Sequence, residues 1–218
     1  MTPHLSFREI RYQEKRKKLL QHAAMIFAKK GYEKTSLEEI ASRLKLSKAS
    51  LYHYVRSKEE VLYLIQLEAL EEILEEIRAL IASDVEPDTK LKQVIERYIH
   101  SATRKHIIGA LRQQELILPE KWRRKIIAKR DEFDNLCRLV IQEGIATGDF
   151  QAVNWKMSYM AMMGALNWII KWYSPQGDMS VEEICKAMTY FILSGFGIET
   201  ENPLNPIGKE GDGTRKTE

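Results

Sequence analysis

Apolar residues recur at three- and four-residue spacing along almost the whole of this 218-residue chain, and no segment alternates with the two-residue period of a half-buried strand. That periodicity confines the fold to the all-α class. Leu19, Ala23 and Phe27, with Leu20, Ala24 and Ala28, form one face of a helix that Gly31 closes as a C-terminal cap. Ser36 with Glu39, Ser57 with Glu60, and Ser180 with Glu183 have the spacing of capping boxes. They open helices predicted over about 37–44, from 57 to about 82, and from 180 to about 199. Further helices are predicted over about 48–54, 89–105, 107–117, 119–147 and 152–173, about nine in all. Residues 84–88, with Pro87, break the chain, and Pro119 suits a first helical position. The tail is Pro/Gly-rich and charged, and 201–218 is predicted to be disordered.

Charge divides the chain in two. Residues 1–58 carry 14 Lys+Arg against 5 Asp+Glu, a balance of +9, and residues 59–218 carry 20 against 26, a balance of −6. The net +3 conceals this split. A basic front ahead of an acidic body points to a polyanionic partner for the front end. The split separates a front unit, 1–58, from a body, 59–200, and the tail. No apolar run approaches the ~18 residues of a membrane span. The polar, basic N-terminus lacks a signal-peptide core. Cys137 and Cys185 have no metal-binding spacing and suit a reducing cytoplasm. A cytoplasmic location is expected, with no membrane partner, no metal and no cofactor.

The front end has the build of a helix-turn-helix over 36–54. Two short helices flank a tight turn, and the longer helix before them completes a three-helix core. Ala41 is small where the two short helices must approach, and Leu37, Ile40, Leu44, Leu46 and Leu51 can supply the interior. Ser47, Lys48, Ala49 and Ser50 open the third helix with a hydroxyl, a cation, a methyl and a hydroxyl. Such groups meet phosphates, base-edge acceptors and thymine methyls. Tyr52, His53 and Tyr54 add phenol and imidazole groups. Thr35 and Ser36 open the second helix, and Lys58 stands at the start of the fourth, where its charge and the backbone N–H groups can hold a phosphate. All ten, from Thr35 to Lys58, are DNA-contact candidates. Lys15–Lys18 adds phosphate attraction.

The segment TSLEEIASRLKLSKASLYHYVRSKEEVL, Thr35 to Leu62, resembles the DNA-binding motif of the TetR/AcrR family of transcriptional regulators. The preceding LLQHAAMIFAKKGYEKTS is similar to that family's first helix and its Gly-aromatic exit, here Gly31-Tyr32. Many members have Gly where this chain has Ala49. The resemblance implies a homodimer that binds palindromic double-stranded operator DNA through its N-terminal DNA-binding domain, 1–58, and a small-molecule effector through its C-terminal ligand-binding and dimerisation domain, 59–200. Repression is the family default.

Two stripes in the body suit such a dimer. The helix predicted over 152–173 is apolar on two faces: Met157, Met160, Ala161, Gly164, Ala165, Trp168 and Trp172 on one, Tyr159, Met163, Leu166, Ile170 and Tyr173 on the other. A helix apolar nearly all round is covered on both sides. Ala161, Gly164 and Ala165, with Met188, Phe191, Ile192 and Gly195 of the last helix, are the candidates for a four-helix dimer interface. The segments LILPEKWRRKIIAKRDEFDNLCRLVIQEGIATGDF and GALNWIIKWYSP resemble the acyl-CoA-responsive branch of the family, which controls fatty-acid or steroid breakdown. That likeness makes Arg112, Arg123, Arg124 and Lys171 candidates for the phosphates of coenzyme A. It makes Trp168 and Trp172 candidates for ring stacking, and Met163, Asn167 and Tyr173 candidates for the rest of the pocket. A drug-responsive repressor of an efflux transporter is the alternative. No GxSxG, HExxH, P-loop or GxGxxG supports an enzyme.

Overall fold

The computed structural model describes residues 6–104, 117–151 and 154–200. Most of the helix predicted over 107–117, the candidate Arg112 and the tail 201–218 lie outside them. The described residues form eight helices and no strands: α1 (Phe7–Lys30), α2 (Leu37–Arg43), α3 (Lys48–Tyr52), α4 (Lys58–Ile81), α5 (Pro87–Thr103), α6 (Glu120–Thr147), α7 (Trp155–Trp172) and α8 (Val181–Gly195). None of these helices is long and apolar enough to cross a membrane.

The caps operate locally, as the sequence implies. The hydroxyl oxygens of Ser36, Ser57 and Ser180 accept from the N–H groups of Glu39, Glu60 and Glu183. The reciprocal half of the box closes at Ser180, but Glu60 instead accepts from the Arg56 N–H, at 2.5 Å. A further complete box, Ser6 with Glu9, starts α1 at Phe7 and was not among the predicted signals. The break predicted over 84–88 lies at 82–86, and Pro87 ends it. Its fixed φ and missing N–H suit a first turn, and α5 begins on it. Pro119 stands one place earlier than expected, as the N-cap of α6. The last helix stops at Gly195 rather than near 199, because Gly197 turns left-handed (φ 73°) while the Ile198 N–H reaches back to the Leu193 carbonyl at 3.1 Å.

Two apolar clusters hold the molecule. The front one joins Leu19–Phe27 of α1, Tyr32, Leu37, Ile40 and Ala41 of α2, Leu51 of α3, and Val61–Ile65 of α4. It also includes Leu118 and Ile126, so the three-helix reader is completed by the start of α6. The body cluster packs Ile73–Leu80 of α4 with α5, α6, α7 and α8. α4 runs from one cluster into the other, with α6 along its side.

Candidate nucleic-acid interface and effector cavity

The turn between α2 and α3 sets the reading head. Lys45 adopts φ 54°, a left-handed conformation that costs an L-residue roughly 1 kcal/mol and that Gly adopts freely. It is held there by two bonds that close α2: the Leu46 N–H donates to the Ala41 carbonyl (2.9 Å) and the Lys45 N–H to the Ser42 carbonyl (3.1 Å). Lys45→Gly is therefore expected to raise stability by up to ~1 kcal/mol, read as a higher denaturant midpoint at unchanged slope. Fully buried Leu51 then seats α3 in the front core. With Leu51 inward, Ser47, Lys48, Ala49, Ser50, Tyr52 and His53 all face outward.

These side chains are already organised. The Ser47 hydroxyl accepts from the Ser50 N–H (3.1 Å) and lies 2.8 Å from the Ser50 hydroxyl. The Lys48 ammonium is 3.2 Å from Glu38 and 5.9 Å from the Tyr52 ring centre. Both partners of the Lys48–Glu38 pair are exposed, so phosphate can displace the carboxylate cheaply. Ser36 is exposed, its hydroxyl serving as the cap of α2. Three other candidates do not join this surface freely. Thr35 is buried, because its hydroxyl donates to the Gly31 carbonyl (2.9 Å) to brace the exit of α1. The Lys58 ammonium donates to the carbonyl oxygens of Tyr32 (3.1 Å) and Glu33 (3.5 Å) and lies over the Tyr32 ring. Tyr54 is half-buried and stacked on Tyr12, with ring centres 5.1 Å apart.

A cavity of about 640 Å³ opens in the body between α4, α5, α6 and α7. Its lining is partly apolar (Ala69, Leu70, Ile73, Phe133, Met160, Met163 and Ile170) and partly polar (Gln66, Tyr98, Ser101, Arg130, Asp134, Tyr159, Asn167 and Lys171). The Tyr98 hydroxyl donates to Asn167 Oδ1 and the Tyr159 hydroxyl to Asp134 Oδ1, each at 2.5 Å. Burial pushes the Tyr98 phenol up to about 12, and burial with the Asp134 hydrogen bond pushes the Tyr159 phenol up as well. Both hydroxyls therefore keep their protons. Desolvation also draws the Arg130 guanidinium below its ordinary value.

Of the predicted effector residues, Met163, Asn167 and Lys171 line this cavity. Trp168 and Trp172 do not: they are 64% and 44% exposed on the outer face of α7. Tyr173 is buried in the body core, and Arg123 and Arg124 lie in the first turn of α6, with Arg124 paired to Glu120. The other polar residues of the lining, Gln66, Tyr98, Ser101, Arg130, Asp134 and Tyr159, were missed. They come from four helices and share no motif, so only the crossing of those helices assembles them.

The outer face of α7 and α8 is apolar and open. Met157, Trp168 and Phe191 are each more than half exposed, as is Met160, which with Gly164 also borders the cavity. A Cβ added to Gly164 or Gly195 would meet no atom within 4 Å. This face carries Ala161, Gly164, Phe191 and Gly195 of the predicted interface, with Ala165 half-buried beside them. It excludes Ile192, which is buried in the subunit's own core, while Met188 is half-buried against that core. Successive helical residues lie ~100° apart, so turning Phe191 outward turns Ile192 in.

α6 joins the two regions. Its Trp122 stacks on Tyr63 of α4, ring centres 5.2 Å apart and planes 7° apart, and its Ile126 is buried in the front core. Arg130, Phe133 and Asp134, one to two turns further on, line the cavity.

Comparison with known proteins identifies relatives of this arrangement. A family model described as bacterial regulatory proteins, tetR family, matches residues 19–63, and one described as tetracyclin repressor-like, C-terminal domain, matches residues 84–196. The HTH-type transcriptional repressor KstR2 of Rhodococcus jostii is 24% identical over 185 residues, covering 83% of this chain and 90% of that protein. The TetR family transcriptional regulator PfmR from Thermus thermophilus is 34% identical in sequence with a TM-score of 0.74, covering 81% of this chain and 97% of that one. The structure of AibR in complex with isovaleryl coenzyme A and operator DNA has a TM-score of 0.69 at 25% identity, covering 81% and 96%.

Proposed function

This chain belongs to the TetR family of bacterial transcriptional regulators, and on that premise we propose that it is a homodimeric repressor released from its operator by an acyl-CoA thioester, best a long-chain one, and that it controls genes of fatty-acid degradation. The observation that carries the reading is the course of α6. Residues that complete the reader's core and residues that line the cavity lie on one helix, about 6–12 Å apart along its axis. A ligand that fits the cavity better in one setting of α6 biases the setting of the reader, and operator affinity falls by linkage.

The cavity's chemistry supports a thioester with an apolar chain. The apolar lining residues suit a hydrocarbon, while Arg130 and Lys171 can meet phosphate or carboxylate oxygens. AibR, similar over most of this chain, holds both isovaleryl coenzyme A and operator DNA. In the dimer, the exposed faces of α7 and α8 pair with their copies. The two α3 helices then meet successive major grooves about 34–36 Å apart on a palindromic site. Ser47, Lys48, Ala49, Ser50, Tyr52 and His53 are the contact residues of each reader.

The test is operator release in a panel of CoA thioesters, free acids and cationic drugs, on a duplex selected by the protein from a random pool. Long-chain acyl-CoA is expected to release DNA and to raise the melting temperature of the free protein. Release by cationic drugs alone would turn the reading toward an efflux regulator. Lys48→Ala is expected to weaken binding uniformly across sequences and to make the salt dependence of log K shallower by about 1. An unchanged salt dependence would remove Lys48 from the interface.

A further inference from the structure

The first half of α1 is helical without a core to explain it. From Phe7 to Lys18 no side chain is fully buried, and the front core begins only at Leu19. The Ser6–Glu9 box caps this half, and it continues the buried second half of the same helix. Tyr12 adds a tertiary hold. Its ring stacks on Tyr54 (5.1 Å, 28°) and meets His53 edge-on (5.5 Å, 88°), and its hydroxyl donates to the His53 carbonyl at 3.3 Å. The first turns of α1 are thus fastened beside the C-terminal end of α3, next to the exposed His53 and Tyr52.

The surface so placed is basic on one side. At ~100° per residue, Arg8, Arg11, Lys15 and Lys18 fall within ~80° of one another round the helix. All four are exposed. Glu9 and Glu14 project outside that arc, and so does Lys17, which pairs with Glu72 of α4 at 3.0 Å. The arc spans ~15 Å of helix and borders the side on which Tyr12 meets α3.

We propose that the first half of α1 is a second DNA-contacting surface, with Arg8, Arg11, Lys15 and Lys18 meeting duplex phosphates beside the base pairs read by α3, and with Tyr12 as the positioning residue that fixes them there. Charge complementarity to a polyanion and continuity with the exposed face of α3 identify the partner. The inference rests on the reading of this chain as a DNA-binding regulator. It assigns the salt dependence of binding partly to residues outside the helix-turn-helix.

Binding of the full chain to the selected duplex and to a random-sequence duplex, over a range of salt, tests it. The variant Arg8→Gln/Arg11→Gln/Lys15→Gln/Lys18→Gln is expected to fold as the parent and to make the slope of log K against log salt shallower by about 2–4, at ~0.9 per phosphate contact. Tyr12→Ala is expected to weaken operator binding at least about threefold with an unchanged melting temperature, and Tyr12→Phe, which keeps the stack, to restore it. An unchanged slope in the fourfold variant, with the parent still binding DNA, overturns the inference. Failure of the parent to bind either duplex overturns the DNA-binding reading itself. Unchanged affinity in Tyr12→Ala removes the positioning role. Capture of the parent, but not the fourfold variant, by phosphatidylserine vesicles with an unaltered DNA slope would assign the stripe to a membrane surface and overturn the proposal.

Discussion

Leu51→Asp is expected to abolish operator binding by melting the reader while the body stays folded. Leu51 is fully buried and is the side chain that seats α3 against α1, α2 and α4. Replacing it removes a leucine from a packed site and places a carboxylate where no partner exists, at a cost of roughly 4 kcal/mol or more. The body has its own cluster, from Ile73 to Phe196, which the substitution does not touch. Amide exchange should lose protection over 19–55 and keep it over α5, α7 and α8. Leu51→Met, which conserves volume, should cost less than about 1.5 kcal/mol and retain binding. Loss of binding with full protection over 19–55 would show that Leu51 acts at the DNA surface instead of in the core.

Trp168→Glu is expected to yield a folded monomer. Trp168 is 64% exposed on the open face of α7, one turn beyond Gly164 and three beyond Met157. A charge there costs the isolated subunit little, since surface changes stay within about ±0.5 kcal/mol. In a paired four-helix interface the same charge is desolvated twice by symmetry, and stability of the dimer collapses. Sedimentation should report half the parent mass with unchanged helicity. Operator affinity should fall by about 10²–10⁴, the avidity lost when two readers are no longer linked. A dimer of unaltered stability would place the interface elsewhere. Gly164→Arg is a second route to the same result, because a Cβ at Gly164 meets nothing within the subunit.

Much of the reader was legible because its determinants are short-range. Ser36, Ser47 and Ser57 cap helices through atoms three residues away, and Leu51 repeats the helical period of its neighbours. The misplacements there are tertiary in origin. Thr35 and Lys58 are polar and stand beside the motif, yet each spends its polar atoms on carbonyl groups at the exit of α1. In the body, apolarity alone could not separate the pocket side of α7 from its outer side. Met163 faces the cavity and Trp168 faces away, five residues on, and both belong to apolar stripes.

The helices, their caps and the helix-turn-helix follow from local pattern, because hydrogen bonds and apolar periods within a helix are set by residues a few positions apart. Which stripes meet each other is a matter of helix packing. The cavity wall of Tyr98, Arg130, Asp134, Tyr159 and Asn167 is gathered from three helices of the body, and the Tyr12–Tyr54 stack joins residues 42 positions apart. Such contacts depend on how helices cross, and helical crossing depends on the fit of whole surfaces rather than on any local pattern.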